Sequence, residues 1–233
     1  MSYLHHYLET SETKSRCNRL TIHADNCSGQ NKNNTMLHYL AWRVEKGYHK
    51  EIELNFMIAG HTKFGPDWFF GVFKRRFRVT FASSLQEIKD CFHESSSNKA
   101  VLVGKEDGTV LVPAYDWTTY LDEHYKTVSG LKKCHQFIFK GCNPSELIMK
   151  SYCDSVEESS LPILLKRPQS SSFPPQIDPP GLSESRKAYL FTDIRQFCKE
   201  GTEDIVCPKP PTVKPSSGKR PMSGTSKAKR PKV

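Results

Sequence analysis

Within residues 20–58 the spacing of apolar residues changes from that of a strand to that of a helix and back again. This pattern constrains the fold more than any other feature of the chain. Residues 20–23 are a short apolar segment typical of a strand, and residues 52–58 alternate apolar and polar side chains, the period of a half-buried strand. Between them, apolar residues recur at i, i+3, i+4 and i+7: Leu37, Leu40, Ala41 and Val44. The pattern predicts a strand, an amphipathic helix and a second strand.

Both ends of this helix carry local signals. Asn33 or Asn34 is placed to cap its first turn, and Gly47 follows its last turn. A strand, a helix and a strand with short connections form a right-handed parallel crossover. We therefore expect an α/β fold in which both strands end at the same sheet edge, where open α/β sheets place their binding sites.

Each predicted strand is followed by an aspartate. Asp25 comes directly after the first strand, and Asp67 opens a helix after the second, with His61 and Lys63 shortly before it. Carboxylates are hard ligands for Mg²⁺ or Mn²⁺, and two such ions about 3.5–4 Å apart can promote cleavage of a phosphodiester. We interpret Asp25 and Asp67 as metal-binding and catalytic residues, with His61 as a third catalytic residue.

Each aspartate also has a structural explanation. Asp25 could form an Asx turn, in which its side chain accepts a nearby backbone hydrogen bond. Asp67 could instead stabilise the start of its helix through the helix dipole. The combination of the two with His61 favours a shared site.

A basic cluster follows Asp67 on the same predicted helix. Clustered Lys and Arg side chains neutralise nucleic-acid phosphates, so the cluster predicts a DNA contact. The alternative is a solvated helix face. The predicted DNA-binding residues are Lys63, Lys74, Arg75, Arg76 and Arg78.

Two longer motifs contain these aspartates: HADNCSGQNKN at residues 23–33 and GHTKFGPD at residues 60–67. With them, the chain resembles a domain family of unknown function found in many animal genes derived from mobile elements. That family in turn resembles a diverged RNase H-like (DDE/DDD) transposase or integrase core. The resemblance implies that Asp25 is the second catalytic acid and Asp67 the third. Residues 186–210 also resemble the C-terminal part of the family.

The chain departs from an RNase H-like core before Asp25. Such a core takes its first acid from a three-stranded meander, whereas the 24 residues before Asp25 contain only Glu9 and Glu12 as acids, and residues 3–8 favour a helix. We expect a partial RNase H-like core without its first strands. The predicted function is a transposase/integrase-like domain, ancestrally Mg²⁺-dependent in DNA cleavage or strand transfer and inactive here. The alternative is a noncatalytic nuclear protein of transposon descent that binds nucleic acid or protein.

Composition divides the rest of the chain. Residues 100–103 and 109–112 flank an Asp-Gly turn and predict a hairpin, a helix is expected from Asp116 or Thr118, and residues 136–139 predict a strand. Three aromatic residues near that helix could stack on bases, although such residues more often belong to a core: Trp117, Tyr120 and Tyr125. The expected segments are a core with an α+β extension at 1–153, a Pro/Ser-rich linker at 154–185, a docking helix at 186–204 and a disordered basic tail at 205–233.

The positive charge is concentrated in that tail. The formal net charge is +9, and residues 205–233 contain eight Lys or Arg residues and no acid. Such low-complexity composition does not bury a core. Two basic clusters are typical of a nuclear import signal, with a solubilising tail as the alternative. The predicted signal, bound by an import receptor, consists of Lys219, Arg220, Lys227, Lys229, Arg230 and Lys232.

The eight cysteines include no C-x-x-C pair, so a structural zinc site has little support. Without a secretory leader or an apolar run of transmembrane length, we expect a reducing compartment, free thiols and no membrane partner. The basic tail predicts a nuclear location. DNA and the import receptor are the expected partners. Homo-oligomers are compatible with the sequence.

Overall fold

The computed structural model describes residues 1–10, 18–58, 65–105 and 107–210 of the 233-residue chain. These residues form two compact units. The first comprises residues 1–81 and 85–180, and the second comprises residues 82–84 with the described part of the chain from residue 181 onward.

The described strands, in chain order, are β1 (Arg19–Ala24), β2 (Glu51–Phe56), β3 (Ala114–Tyr115), β4 (Gln136–Lys140), β5 (Asn143–Lys150), β6 (Ser159–Pro162) and β7 (Gln176–Ile177). Five of them form a mixed sheet in the order β1-β2-β4-β5-β6, while β3 and β7 form a separate pair. In the larger sheet β1 and β2 are parallel, and every other neighbouring pair is antiparallel.

The described helices are α1 (Ser2–Thr10), α2 (Asn34–Glu45), α3 (Gly65–Phe77), α4 (Leu85–Ser95), α5 (Trp117–Asp122), α6 (Glu184–Tyr189) and α7 (Glu203–Val206). Short 3₁₀ turns lie at Leu131–Lys133 and Arg195–Phe197, and a π turn at Leu190–Ile194. The predicted α/β class, with its α+β mixture, is confirmed. No helix of the described residues is long and apolar enough to cross a membrane.

The β1-α2-β2 unit forms as the sequence predicts. Its two strands pair in parallel, with Leu20 opposite Ile52. Asn33 caps α2, because its side chain accepts a 2.9 Å hydrogen bond from the backbone N–H of Met36. Gly47 follows the helix with a φ of 73°, a conformation that residues with a Cβ rarely adopt.

The core of the first unit lies between α2 and the sheet. Tyr39 and Leu40 of α2 are fully buried, as are Leu54 of β2 and Phe137 of β4. Burial of a large apolar side chain stabilises a fold by about 1.5–3 kcal/mol. Because α2 has more buried residues than any other described helix, it is the main packing partner of the sheet. Three aromatic residues considered for base stacking are also buried, which confirms the core alternative: Trp117, Tyr120 and Tyr125.

The segment predicted as a linker, residues 154–185, contributes to this core. Its residues 159–162 are β6, which pairs with β5. Ile163 is completely buried, and the Phe173 ring lies 5.5 Å from that of Trp117. Proline- and serine-rich composition hides these contacts because a few well-placed apolar residues are enough to attach a segment to a core.

Two other predicted elements differ in form. The two sides of the hairpin predicted from residues 100–112 pair through an isolated antiparallel bridge between Gly104 and Val110 and not as two strands. Backbone hydrogen bonds from Lys105 to Thr109 at 2.9 Å and from Leu111 to Val103 at 3.0 Å accompany the bridge. In the second unit, the predicted helix 186–204 is the short helix α6 followed by the π and 3₁₀ turns. There the Arg195 guanidinium donates hydrogen bonds to the carbonyls of Glu203 at 3.0 Å and Cys207 at 2.8 Å, which closes the chain into a compact loop.

Candidate functional site

Asp25 lies in a tightly hydrogen-bonded loop directly after β1. Its Oδ1 accepts hydrogen bonds from the side-chain amide of Asn31 at 2.5 Å and from the backbone N–H of Cys27 at 3.4 Å. The carbonyl of Cys27 in turn accepts the backbone N–H groups of Gln30, Asn31 and Lys32 at 2.9–3.2 Å. The structural alternative proposed from the sequence, an Asx turn, therefore describes the conformation of Asp25.

Lys32 of the same motif is buried beneath this loop, with 5% of its surface exposed. Its ammonium donates a 2.9 Å hydrogen bond to Oδ1 of Asn26 and lies 5.2 Å from the centre of the Phe56 ring. Burial lowers the pKa of Lys32, because removal from water disfavours the charged form. Asn26 also contacts His135, which precedes β4, at 3.5 Å. The motif thus ties the end of β1 to its neighbouring strands.

Asn33, the last residue of the motif, and Asn34, which follows it, also act on the fold. Asn33 caps α2, and Oδ1 of Asn34 accepts a 2.8 Å hydrogen bond from the backbone N–H of Val128. The second contact attaches the start of α2 to the chain after α5. Much of the motif, read from the sequence as a metal-binding segment, is therefore occupied in shaping the loop and orienting α2.

The described donors do not assemble a metal site by themselves. Asp67 lies exposed in the first turn of α3, where an acid is stabilised by the helix dipole. Within the described ranges, no three His, Cys, Asp or Glu side chains are grouped so that they could hold a metal ion. The predicted catalytic residue His61 lies outside the described residues.

Helix α3 has an unusual surface for a helix of thirteen residues. None of its residues is buried. Trp68 is 63% exposed, Phe70 55% and Phe77 38%. Large aromatic rings normally lie in a core, so exposed rings on one helix mark a candidate interaction surface.

The predicted basic cluster lies on this helix and just beyond it. Arg76 pairs with Glu94 of α4, and the neighbouring Phe73 ring lies 5.3 Å from Phe92, so this side of α3 contacts α4. Among the described residues, Lys74, Arg75 and Arg78 form no ion pair, and all three are exposed. The structure therefore separates Arg76, which supports the helix pair, from three cations that face solvent.

We call these exposed side chains the α3 face. It consists of Trp68, Phe70, Lys74, Arg75, Phe77 and Arg78. The sequence predicted its cations but not its aromatic rings. The available signal was the density of aromatic residues in α3, five in thirteen positions, which exceeds what one packed side of a helix can bury.

Several predicted residues lie outside the described part of the chain. Lys63, predicted to bind nucleic acid, is one of them. The others form the predicted import signal: Lys219, Arg220, Lys227, Lys229, Arg230 and Lys232.

Residues 1–156 match the family described as Domain of unknown function (DUF7869). The chain belongs to this family. No curated protein and no solved structure matches the chain. The DUF7869 match covers β1, α2, β2 and all of α3, so it includes Asp25, Asp67 and the α3 face. The resemblance to a family of unknown function is confirmed, and the RNase H-like ancestry of the DUF7869 domain stays a prediction.

Proposed function

We propose that this protein binds nucleic acid through the α3 face and does not itself cleave it. The observation that carries the proposal is the presence of three exposed cations without ion-pair partners among the described residues: Lys74, Arg75 and Arg78. A cation already paired with a carboxylate must lose that partner to bind a phosphate. Among the described residues, these three side chains have no carboxylate partner to lose. Each can therefore release a counterion from the nucleic acid on binding.

We further propose that the domain descends from an RNase H-like transposase or integrase and retains its fold for binding. The two sequence motifs support this descent. Loss of cleavage is supported by the position of Asp25, whose carboxylate serves the loop after β1. The basic residues of the tail would direct the protein to the nucleus through an import receptor.

The test of binding is titration of the full chain with a fluorescent duplex DNA at several salt concentrations. We compare the parent with a triple variant that carries Lys74→Gln, Arg75→Gln and Arg78→Gln. If all three side chains contact phosphates, the slope of log K against log salt decreases in magnitude by about 3.

A matched control removes the same charge from another exposed part of the first unit, through Lys132→Gln, Lys133→Gln and Lys140→Gln. The basic tail is present in every protein, so it contributes equally to each titration. We expect the control to retain the parental salt slope. Equal loss in both variants would mean that DNA responds only to net charge, and the proposed site would be wrong.

A second candidate is metal-dependent phosphodiester cleavage or strand transfer with Asp25 and Asp67 as metal ligands. The observation in its favour is that Asp25 follows β1 at the edge where β1 and the parallel β2 both end. The decisive measurement is Mn²⁺ binding, followed by electron spin resonance, in the parent and in Asp25→Asn and Asp67→Asn. Binding that is lost in both variants would establish a shared metal site. Unchanged binding in either variant would separate the two acids and leave the noncatalytic function.

A further inference from the structure

We infer that the α3 face binds single-stranded nucleic acid, with bases stacked on its aromatic rings and phosphates held by its cations. The inference rests on the proposed function and adds the class of nucleic acid. It depends on the exposed rings of Trp68, Phe70 and Phe77, because phosphate binding by the basic cluster does not require them.

The spacing of these residues places rings and cations alternately along the helix. Phe70, Lys74 and Phe77 recur at i, i+4 and i+7, so they lie on one side of α3. Arg78 extends that row, because its backbone N–H still donates to the carbonyl of Lys74 at 3.1 Å, as in a continuing helix. Trp68 and Arg75 are also seven residues apart and form a second row, which lies at the other margin of the exposed side of α3.

This arrangement fits the chemistry of an unpaired strand. Phe70 and Phe77 are separated by about 10 Å along the helix axis, which allows contacts to different nucleotides. In a single strand the flat faces of the bases are accessible and stack on aromatic side chains, while nearby cations follow the backbone. In a duplex those faces are already stacked, and a protein reaches base edges and phosphates instead. Exposed rings therefore add affinity for a single strand and little for a duplex.

A shallow cavity at the start of the helix extends the same surface. It has a volume of about 420 Å³ and is lined by Phe69 and Phe70 of α3, Phe92 of α4, and Asn98 and Lys99 after α4. Its apolar floor suits the face of a base, and the exposed Lys99 at its rim can contact a phosphate. A single strand passing along α3 would thus have a place for one base beside Phe70.

The chain contains its own reporter for this contact. Of its three tryptophans, Trp42 and Trp117 are 1% and 2% exposed, whereas Trp68 is 63% exposed. Quenching of tryptophan fluorescence by a nucleic acid therefore reports on Trp68. Stacking of a base on the indole would quench the emission, and a phosphate contact elsewhere would leave it nearly unchanged.

The experiment compares a 20-nucleotide oligo(dT) with a duplex of the same length, both binding to the full chain. We expect the single strand to bind more tightly and to quench Trp68. The Trp68→Ala/Phe70→Ala variant should lose at least tenfold in affinity for oligo(dT), with less than a threefold change for the duplex. Trp68→Phe keeps an aromatic face and should lose the quenching while it retains most of the affinity.

The possible results separate this inference from the proposed function. If the chain binds the duplex through its basic residues but oligo(dT) no better and without quenching, the inference is wrong and the proposed function remains. If neither nucleic acid binds, both are wrong. Unfolding curves of each variant show that a loss of binding is not a loss of fold.

The α3 face could instead pair with a second copy of the chain. Sedimentation of the parent and of Trp68→Ala/Phe70→Ala tests this outcome. We expect both to sediment as monomers in the absence of nucleic acid. A parental dimer that dissociates in the variant would show that the rings are an interface between copies, and it would overturn the inference.

Discussion

Helices α2 and α3 combine aromatic and basic side chains in similar ways, yet the fold treats them in opposite ways. In α2, Tyr39 and Trp42 are at most 1% exposed, and Arg43 is 3% exposed. The guanidinium of Arg43 lies 4.7 Å from the centre of the Tyr48 ring and donates a 2.8 Å hydrogen bond to Glu9 of α1. In α3, none of the residues is buried, and the cations other than Arg76 face solvent.

The difference shows that a helix rich in aromatic and basic residues can either stabilise the core or present a binding surface. Where α2 is covered by the sheet and by α1, the ring and cation contacts are satisfied within the protein and stabilise it. Where one side of α3 packs on α4 and the other side faces solvent, the same chemistry is available to a ligand. The following predictions test that distinction, from the largest effect to the smallest.

The largest contrast is between two tryptophans. Trp42→Ala should lower the free energy of unfolding by about 3–5 kcal/mol, because it leaves a cavity in the core. Trp68→Ala should change it by less than about 0.5 kcal/mol, because its ring is mostly in water. Urea unfolding of both variants measures the difference. A large loss for Trp68→Ala would show that the Trp68 ring is covered by another part of the protein in solution and would break the comparison.

A pH effect should arise from the region around α2. His5 of α1 is 8% exposed, and Nδ1 of His5 lies 3.1 Å from the hydroxyl of Tyr39. Burial lowers the pKa of His5 to about 4. The unfolded chain, with a pKa of about 6.5, binds this proton more readily. Stability is therefore full above pH 6.5 and falls by about 2 kcal/mol as the pH decreases to about 4.

The measurement is urea unfolding of the parent and of His5→Phe between pH 7.5 and pH 4. The variant should lack this part of the pH dependence. Charged groups near His5 are Glu9, Arg43 and His6, and they are unchanged in the variant. An identical pH dependence in the two proteins would assign the effect to those groups instead.

The start of α2 should contribute a smaller amount. Asn33→Ala removes the side-chain cap of the Met36 N–H and should cost about 1 kcal/mol. Asn33→Asp keeps a capping oxygen and serves as the control, with an expected change of only a few tenths of a kcal/mol. If the two variants unfold alike in thermal scans, the cap does not stabilise α2, and packing against the sheet is sufficient.

The smallest predicted effect has the opposite sign and lies in α3. Gly71 is in the middle of the helix, and an added Cβ would meet no atom within 4 Å. Gly71→Ala should therefore stabilise α3 by about 0.5–1 kcal/mol, since alanine loses less conformational freedom on helix formation. Amide hydrogen exchange in α3 measures the gain. We expect slower exchange. Faster exchange would mean that the added methyl group clashes with another part of the chain.

Local signals explain which elements the sequence predicts well. The cap at Asn33, the apolar repeat through Val44 and the glycine at position 47 all act within a few residues of one another, and α2 forms between them. The start of α5 was also predicted, since the helix begins directly after Asp116, one of its two expected first residues. In contrast, β5 and β6 each depend on a partner strand, and their own residues carry weak patterns.

The residues of the candidate site also separate into those predicted by local signals and those that depend on contacts between distant segments. Its cations and Asp25 were predictable from residue type and spacing. The hydrogen bond between Asp25 and Asn31, the burial of Lys32 and the exposure of Trp68 were not, because each depends on which surfaces meet in the folded chain.

By itself, the sequence determined the parallel β1-α2-β2 unit, the end of β1 directly before Asp25 and the basic cluster on α3. Periodicity, capping and charge are properties of neighbouring residues, and they persist in any fold that contains these helices and strands. Only the tertiary structure decided that the rings of α2 form the core while those of the α3 face meet solvent. Burial is a property of the contacts between distant segments, and the segments that cover α2 leave one side of α3 uncovered.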